Sequence, residues 1–177
     1  NTNSSPMITN TIFSGNRITY YGGGIYNGEN SSPTLTNVVI SGNQAGENGG
    51  GMYNSMSSSI LNNVTISGNY ALTSGGGMMN AYNSKSKIYN SIIWGNTSGI
   101  INNDPSLDVV DIQYSLVQDL TDTSNGNISS LQEAVMLRLI AEESNSPEDG
   151  YLPSVTGFAK KCISGCSLQT RFIQTFN

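Results

Sequence analysis

The chain has 177 residues, and only 11% of them are charged, less than half of the ~25% that is usual in globular domains. It contains no histidine, which excludes imidazole bases and ligands, and a net charge of −5 without a basic patch argues against nucleic acid as a partner. No apolar run approaches the ~18 residues of a membrane-spanning helix, so we expect no membrane insertion of this segment.

Four copies of one motif organise the first two thirds of the chain: SPMITNTIFSGN, SPTLTNVVISGN, SSILNNVTISGN and KSKIYNSIIWGN. Their last residues lie 27, 26 and 27 positions apart, at Asn16, Asn43, Asn69 and Asn96. A second motif follows the first three copies as GGGIYN, GGGMYN and GGGMMN, and a degraded fifth copy occupies residues 112–117. The repeat therefore covers residues 5–119, and a fixed period of this length indicates a repeat architecture.

Each repeat unit combines Thr, Val, Ile and Tyr with Gly and Asn, which is typical of short strands separated by tight turns. The Leu-x-x-Leu-x-Leu framework of leucine-rich repeats is absent, and helical repeats need ~33 or more residues. Three strands and three turns fill one unit. The pattern predicts an all-β fold, a right-handed single-stranded parallel β-helix (β-solenoid) of about five coils, stacked at ~4.8 Å.

Stacking would place like residues above one another in columns. Three apolar columns are predicted inside the coil: Ile8, Leu35, Leu61, Ile88, Ile112; Phe13, Ile40, Ile66, Ile93, Val117; and Ile25, Met52, Met78, Ile100. Two self-bonding asparagine columns are predicted at corners, because Asn tolerates left-handed backbone angles and its amide can bond the next one: Asn10, Asn37, Asn63, Asn90; and Asn27, Asn54, Asn80. We expect Asn63 to be internal and unable to carry a glycan. The glycine triplets indicate a backbone path that a Cβ would block.

The paired blocks, [Phe/Ile]-Ser-Gly-Asn and Gly-Gly-Gly-[Ile/Met]-[Tyr/Met]-Asn, resemble the parallel β-helix repeats of bacterial surface proteins. They are similar to the polymorphic outer-membrane-protein and autotransporter-passenger type, which has Phe-x-x-Asn and Gly-Gly-Ala-[Ile/Leu/Val] motifs. This chain differs in having Gly-Gly-Gly where that family has Gly-Gly-Ala. The resemblance implies the fold, but β-helices include lyases, hydrolases, adhesins and inert stalks.

The last third of the chain has a different composition, with four basic and ten acidic residues after position 103. A capping box at residues 130–133 predicts an amphipathic helix from Leu131 to Glu143. We interpret it as a cap on the last coil, the alternative being a helix that docks on a partner. The domains are thus residues 1–128, the repeats, and 129–177, a helix and irregular tail. Because the sequence begins inside a coil, we expect a processed form or a piece of a longer protein.

Aromatic residues supply the candidate ligand-binding positions. Tyr26, Tyr53 and Met79 follow an inward column by one residue and are expected to face solvent. The stacked pair of tyrosines, with Tyr20, Tyr21 and Tyr82 nearby, resembles a sugar-stacking platform, although tyrosine also simply suits an exposed strand. A further column can face either way, and if it faces outward it is an apolar stripe for a partner or an adjoining segment, with Trp94 close by: Ile12, Val39, Thr65, Ile92, Leu116.

Acidic residues and cysteines are the remaining candidates. Asp104, Asp108 and Asp111 could bind calcium, although their spacing matches no known loop, and no other cofactor is indicated. Asp111 aligns beside Lys87 one coil away, where a surface ion pair would contribute ~0–1 kcal/mol. Cys162 and Cys166 could form a local disulfide in an exported protein or remain free thiols.

The first expectation for function is a non-catalytic extracellular or cell-surface segment of a bacterial protein, adhesin-like or a spacer, whose partner is a glycan or a host or cell-surface protein. The repeats hold only Glu29 and Glu47 as acids, at non-equivalent positions, whereas glycosidases need paired carboxylates. The alternative is a carbohydrate-binding or polysaccharide-degrading β-helix that uses the tyrosines and the region from Asp104 to Asp111.

Overall fold

The computed structural model describes residues 1–102, 110–120 and 124–129 and winds them into a β-solenoid of about four turns. Within these ranges there are strands and turns but no helix. The strands of the first two coils are β1 (Met7–Thr9), β2 (Ile12–Ser14), β3 (Arg17–Ile18), β4 (Ile25–Asn27), β5 (Thr34–Thr36), β6 (Val39–Ser41), β7 (Gln44–Ala45) and β8 (Met52–Ser55). The later coils contain β9 (Ile60–Asn62), β10 (Thr65–Ser67), β11 (Tyr70–Ala71), β12 (Met78–Ala81), β13 (Ser86–Tyr89), β14 (Ile92–Trp94), β15 (Ile100–Asn102), β16 (Val110–Gln113) and β17 (Leu116–Val117).

Each strand pairs in parallel with its counterpart in the neighbouring coil, so four sheets run along the solenoid. Sheet 1 contains β1, β5, β9, β13 and β16, and sheet 2 contains β2, β6, β10, β14 and β17. Sheet 3 contains β3, β7 and β11, and sheet 4 contains β4, β8, β12 and β15. Three strands per coil are predicted from sequence, but coils 1 to 3 have four, because a two-residue strand of sheet 3 follows each Ser-Gly-Asn turn.

The register places like residues directly over like, as the repeat predicts. Leu35 pairs with Leu61, Ile66 with Ile40 and Ile93, and Met52 with Met78. The three predicted inward columns form one apolar core, and their members in coils 2 to 4 include the most deeply buried side chains. Two additional columns point inward, Val38 with Val64 and Ala45 with Ala71. The valines are buried because the preceding asparagine bends the chain, and this bend changes which side of the chain the next side chain faces.

The asparagine columns differ from prediction in one respect. Asn10, Asn37, Asn63 and Asn90 adopt the left-handed conformation, with φ of 52°, 55°, 53° and 51°. Their side chains are exposed, however, so the internal placement of Asn63 is wrong. The asparagine side chain lies on the outer side of this bend. The left-handed backbone conformation does not require the amide to be buried. The internal asparagines are the two columns that contain Asn27 and Asn43.

Glycine is required in each triplet for two distinct physical reasons. The first glycine of each triplet has a positive φ, between 65° and 71° at Gly22, Gly49 and Gly75, which glycine adopts without strain. The third glycine lies against the next coil instead: a Cβ on Gly24 would be 2.6 Å from the Gly51 carbonyl oxygen, and one on Gly51 would be 2.5 Å from that of Gly77. The triplet therefore combines a turn with close packing between coils.

The fifth copy of the repeat contributes β16 and β17, and the chain then returns to sheet 2. Ile128 forms a parallel bridge to Leu116, and the backbone N–H of Val117 donates to the Ile128 carbonyl at 3.0 Å. This segment partners the outer edge of β17, an edge that would otherwise present open hydrogen-bonding groups. The predicted capping helix at residues 131–143 lies outside the described residues, as do Cys162 and Cys166.

Candidate functional site

Five tyrosines from three successive coils come together beside sheet 4. Tyr20 and Tyr21 precede the first glycine triplet, Tyr26 lies in β4, Tyr53 in β8, and Tyr82 directly follows β12. We call these five residues the tyrosine cluster. The register of sheet 4 creates it, since Tyr26 pairs with Tyr53 and β12 pairs with β8.

The rings of the cluster are ordered by stacking. The Tyr21 and Tyr53 ring centroids are 4.8 Å apart with 23° between the planes, and the Tyr26 and Tyr53 centroids are 5.7 Å apart at 9°. Tyr20 is tilted by 42° against Tyr21 at 6.4 Å. Such offset and tilted pairs are favourable geometries for aromatic rings, each pair contributing about 0.5–1.5 kcal/mol beyond area burial. These four tyrosines are therefore preorganised rather than a set of independent side chains.

Exposure within the cluster differs from what the sequence predicts. Tyr26 is 42% exposed and faces solvent as expected, and Tyr82 is 61% exposed. The expectation is wrong for Tyr53, which is 6% exposed, and for Met79, which is 5% exposed. Both point away from the lumen, but they belong to a second apolar cluster on the outer face of sheet 4 that also contains Ala81 and Ile101. Tyr53 is therefore the packed centre of the tyrosine cluster and its neighbours are the accessible rings.

A small residue makes room for one of these rings. A Cβ on Gly28 would lie 2.8 Å from Cε1 of Tyr26 and 3.2 Å from its hydroxyl oxygen. The Tyr26 ring thus lies flat against the backbone just after β4, where a larger residue would displace it. The sequence analysis did not identify Gly28 as part of the site. Its position immediately after the Tyr-Asn pair of coil 1 was the feature that could have indicated it.

Glu47 supplies the charge of the site. Its interaction with Tyr21, through a hydrogen bond between the side chains and through the negative carboxylate, raises the pKa of Tyr21 to about 12. Burial is the main reason that the pKa of Tyr53 is also raised, with smaller contributions from Tyr82, Tyr26 and Glu47. Sequence reasoning missed Glu47 as part of the site, because it follows a two-residue strand that was not predicted.

Trp94 is not part of this cluster. It lies in β14 of sheet 2, where it pairs with Ser67. Next to it runs the column whose direction the sequence left open, and the structure places that column on the outside, with Ile12 and Ile92 the exposed members. The column is an apolar stripe interrupted by Thr65, and it lies on a different sheet from the tyrosines.

The acidic candidates do not form a site among the described residues. Asp111 aligns with Lys87 as predicted, and its carboxylate accepts hydrogen bonds from the Tyr89 hydroxyl at 2.8 Å and from Gln113 Nε2 at 3.0 Å. The Gln113 and Tyr89 hydrogen bonds and the nearby Lys87 charge lower the pKa of Asp111. Asp104 and Asp108 lie outside the described residues, and no group of three or more potential metal ligands occurs within them.

Among the residues that the structure describes, no helix is long and apolar enough to cross a membrane. Comparison with known proteins gives no further guide to the site: no family model, curated protein or solved structure matches this chain.

Proposed function

We propose that this β-solenoid is a non-catalytic, adhesin-like binding module that recognises carbohydrate through the tyrosine cluster. The observation that carries the proposal is the convergence of five tyrosines from three coils, with two of their rings stacked on the buried Tyr53. Exposed aromatic surface of this kind is uncommon on a soluble domain without a binding role.

The chemistry of the cluster suits a ligand with apolar ring faces and hydroxyl groups. Tyrosine offers a rigid apolar ring for contact and a hydroxyl for hydrogen bonding, and it loses little conformational entropy on binding. Since Tyr53 holds its neighbours by stacking, part of this entropy is already lost in the free protein. A pyranose ring, with its C–H faces and equatorial hydroxyls, matches both features.

The proposal extends to the setting of the protein. We place the chain in an exported bacterial surface or secreted protein of the autotransporter-passenger type. The support is the pair of repeat motifs and a composition poor in charge and rich in Asn, Ser and Gly. In such a protein the solenoid would hold the tyrosine cluster at a defined distance from the cell, combining spacing with binding.

A glycan array carrying neutral, acidic and amino-sugar oligosaccharides tests the proposal, followed by calorimetric titration of the best ligand. Tyr82→Ala should weaken binding about tenfold or more, because it removes one of the most exposed rings of the cluster. Tyr114→Ala is the matched control, since Tyr114 is 51% exposed, has the same φ of 52° as Tyr82, and directly follows β16 as Tyr82 follows β12. We expect Tyr114→Ala to leave the affinity unchanged.

Two results would contradict the proposal. If no oligosaccharide binds, the solenoid is a spacer or recognises another class of partner. If an oligosaccharide binds with equal affinity to the wild type and to Tyr82→Ala, carbohydrate recognition takes place elsewhere on the chain. Circular dichroism melting of both variants shows whether the fold is retained.

A further inference from the structure

We infer that the tyrosine cluster selects ligands that carry a cationic nitrogen, and that its preferred carbohydrate contains protonated amino sugars. This inference rests on the proposed function and specifies its ligand class. It is carried by the position of one carboxylate, that of Glu47, relative to the exposed rings of Tyr20 and Tyr21.

The solenoid register sets Glu47 directly beside Tyr20 in the neighbouring coil. The backbone N–H of Glu47 donates to the Tyr20 carbonyl at 2.9 Å, and that of Thr73 donates to the Glu47 carbonyl at 2.9 Å. Tyr20, Glu47 and Thr73 therefore form one column across coils 1 to 3. Neighbouring coils lie about 4.8 Å apart, so the Glu47 backbone lies one coil spacing from that of Tyr20.

The planes of the two rings near this carboxylate are inclined to each other. Tyr20 and Tyr21 are tilted by 42° with centroids 6.4 Å apart, and both are exposed. The face of an aromatic ring is the negative part of its quadrupole, so it attracts an ammonium group held within about 6 Å. Glu47, which interacts with Tyr21, thus brings a carboxylate next to two exposed tyrosine rings, so that charge attraction and cation–π attraction act on the same ligand nitrogen.

The negative charge near these rings comes from Glu47. Its carboxylate contributes to the raised pKa of both Tyr21 and Tyr53, which is the effect of a negative neighbour and the opposite of that of a nearby cation. Glu29 and Glu47 are the acids of residues 1–103, and Glu47 is the one beside the rings. An acidic sugar would be repelled here, and a neutral sugar would gain only stacking and hydrogen bonds.

Three β-1,4-linked oligosaccharides of equal length test the inference: oligomers of glucosamine, of N-acetylglucosamine and of glucose. At about pH 6 much of the glucosamine oligomer is protonated, whereas the other two oligomers are neutral. We expect the glucosamine oligomer to bind about fivefold more tightly than the neutral oligomers at low salt, and this preference should shrink as ionic strength rises.

Two isosteric variants separate a local from a general charge effect. Glu47→Gln should abolish the preference for the glucosamine oligomer over the neutral oligomers. Glu29→Gln, which makes the same change in net charge at an exposed position in the same coils, should retain the preference. Equal loss in both variants would overturn the inference, because it would show a response to total charge.

The outcomes also distinguish the inference from the proposed function. Binding of the neutral oligomers without any preference for glucosamine would overturn the inference and leave carbohydrate recognition standing. Tighter binding of an acidic oligosaccharide would overturn it as well. If neither the neutral nor the cationic oligomers bind, the proposed function itself fails.

Discussion

A buried asparagine such as Asn69 shows how a polar residue can serve inside an apolar coil. Its amide nitrogen donates to the Ile40 carbonyl at 2.9 Å and to Asn96 Oδ1 at 3.0 Å. Its amide oxygen accepts from the backbone and side-chain nitrogens of Asn43, at 2.9 and 3.0 Å. All four hydrogen-bonding positions of the amide are thereby used, and a buried polar group satisfied in this way need not destabilise the core.

Removal of this amide should be costly because its partners remain buried. We expect Asn69→Ala to lower the free energy of unfolding by about 2–4 kcal/mol, since the buried Asn43 backbone N–H loses its partner and the Ile40 carbonyl loses one hydrogen bond. Asn63→Gly is the control, an exposed asparagine with φ of 53° whose replacement should change stability by less than about 1 kcal/mol. Urea denaturation measures both, and similar losses in the two variants would contradict the buried-ladder assignment.

These two asparagines also show what residue type alone leaves open. Asn63 and Asn69 recur with the same period, and both were visible as repeated positions. One is selected for a left-handed backbone and the other for a fully hydrogen-bonded amide, and only the direction of each side chain separates the two reasons. The Asn27–Asn54–Asn80 column was correctly predicted, with amide-to-amide bonds of 2.8 Å.

At the scale of the structural element, the turns contain glycines that are required for different reasons. Gly68, in a Ser-Gly-Asn turn, has φ of 63° and open space where a Cβ would be, with only the Gly42 nitrogen at 3.9 Å. Gly51 has no such φ, but a Cβ there would meet the Gly77 carbonyl oxygen at 2.5 Å and Ile66 Cγ2 at 2.9 Å. The first turn is constrained by its own backbone, and the second by the neighbouring coil.

The two glycines should therefore respond differently to the same change. Gly51→Ala should destabilise the protein by about 3 kcal/mol or more, because the coils must separate locally. Gly68→Ala should cost roughly 1 kcal/mol of backbone strain, and Gly68→Asn less, since Asn tolerates this conformation. Thermal melting of the three variants tests the distinction, which fails if Gly68→Ala is as destabilising as Gly51→Ala.

The solenoid as a whole depends on contacts between neighbouring coils. Every strand pair in the described residues joins positions one coil apart, and the apolar core is a single stack with one layer per coil. Stability in such a chain is approximately a sum of nearest-neighbour terms. A defect in one coil is therefore expected to weaken the coils on both sides of it.

Consecutive isoleucines of β14 allow this expectation to be tested. Ile93→Asp places a carboxylate in the apolar core and should cost more than about 4 kcal/mol, whereas Ile92→Asp, at an exposed outward position, should cost less than about 1 kcal/mol. Hydrogen exchange should show lost protection in the partner strands β10 and β17 of Ile93→Asp. Equal melting temperatures for the two variants would contradict the inward assignment of Ile93.

The sequence alone determined the parallel solenoid, its register and three core columns, because a repeated unit must place like residues over like. The direction of the Ile12 column, the burial of Tyr53 and the addition of Glu47 to the tyrosine cluster were decided only by the tertiary structure. Each depends on how sharply the chain turns at a bend and on what the outer face of a sheet packs against. Periodicity specifies which residues share a column, but the backbone angles at the corners decide where that column points.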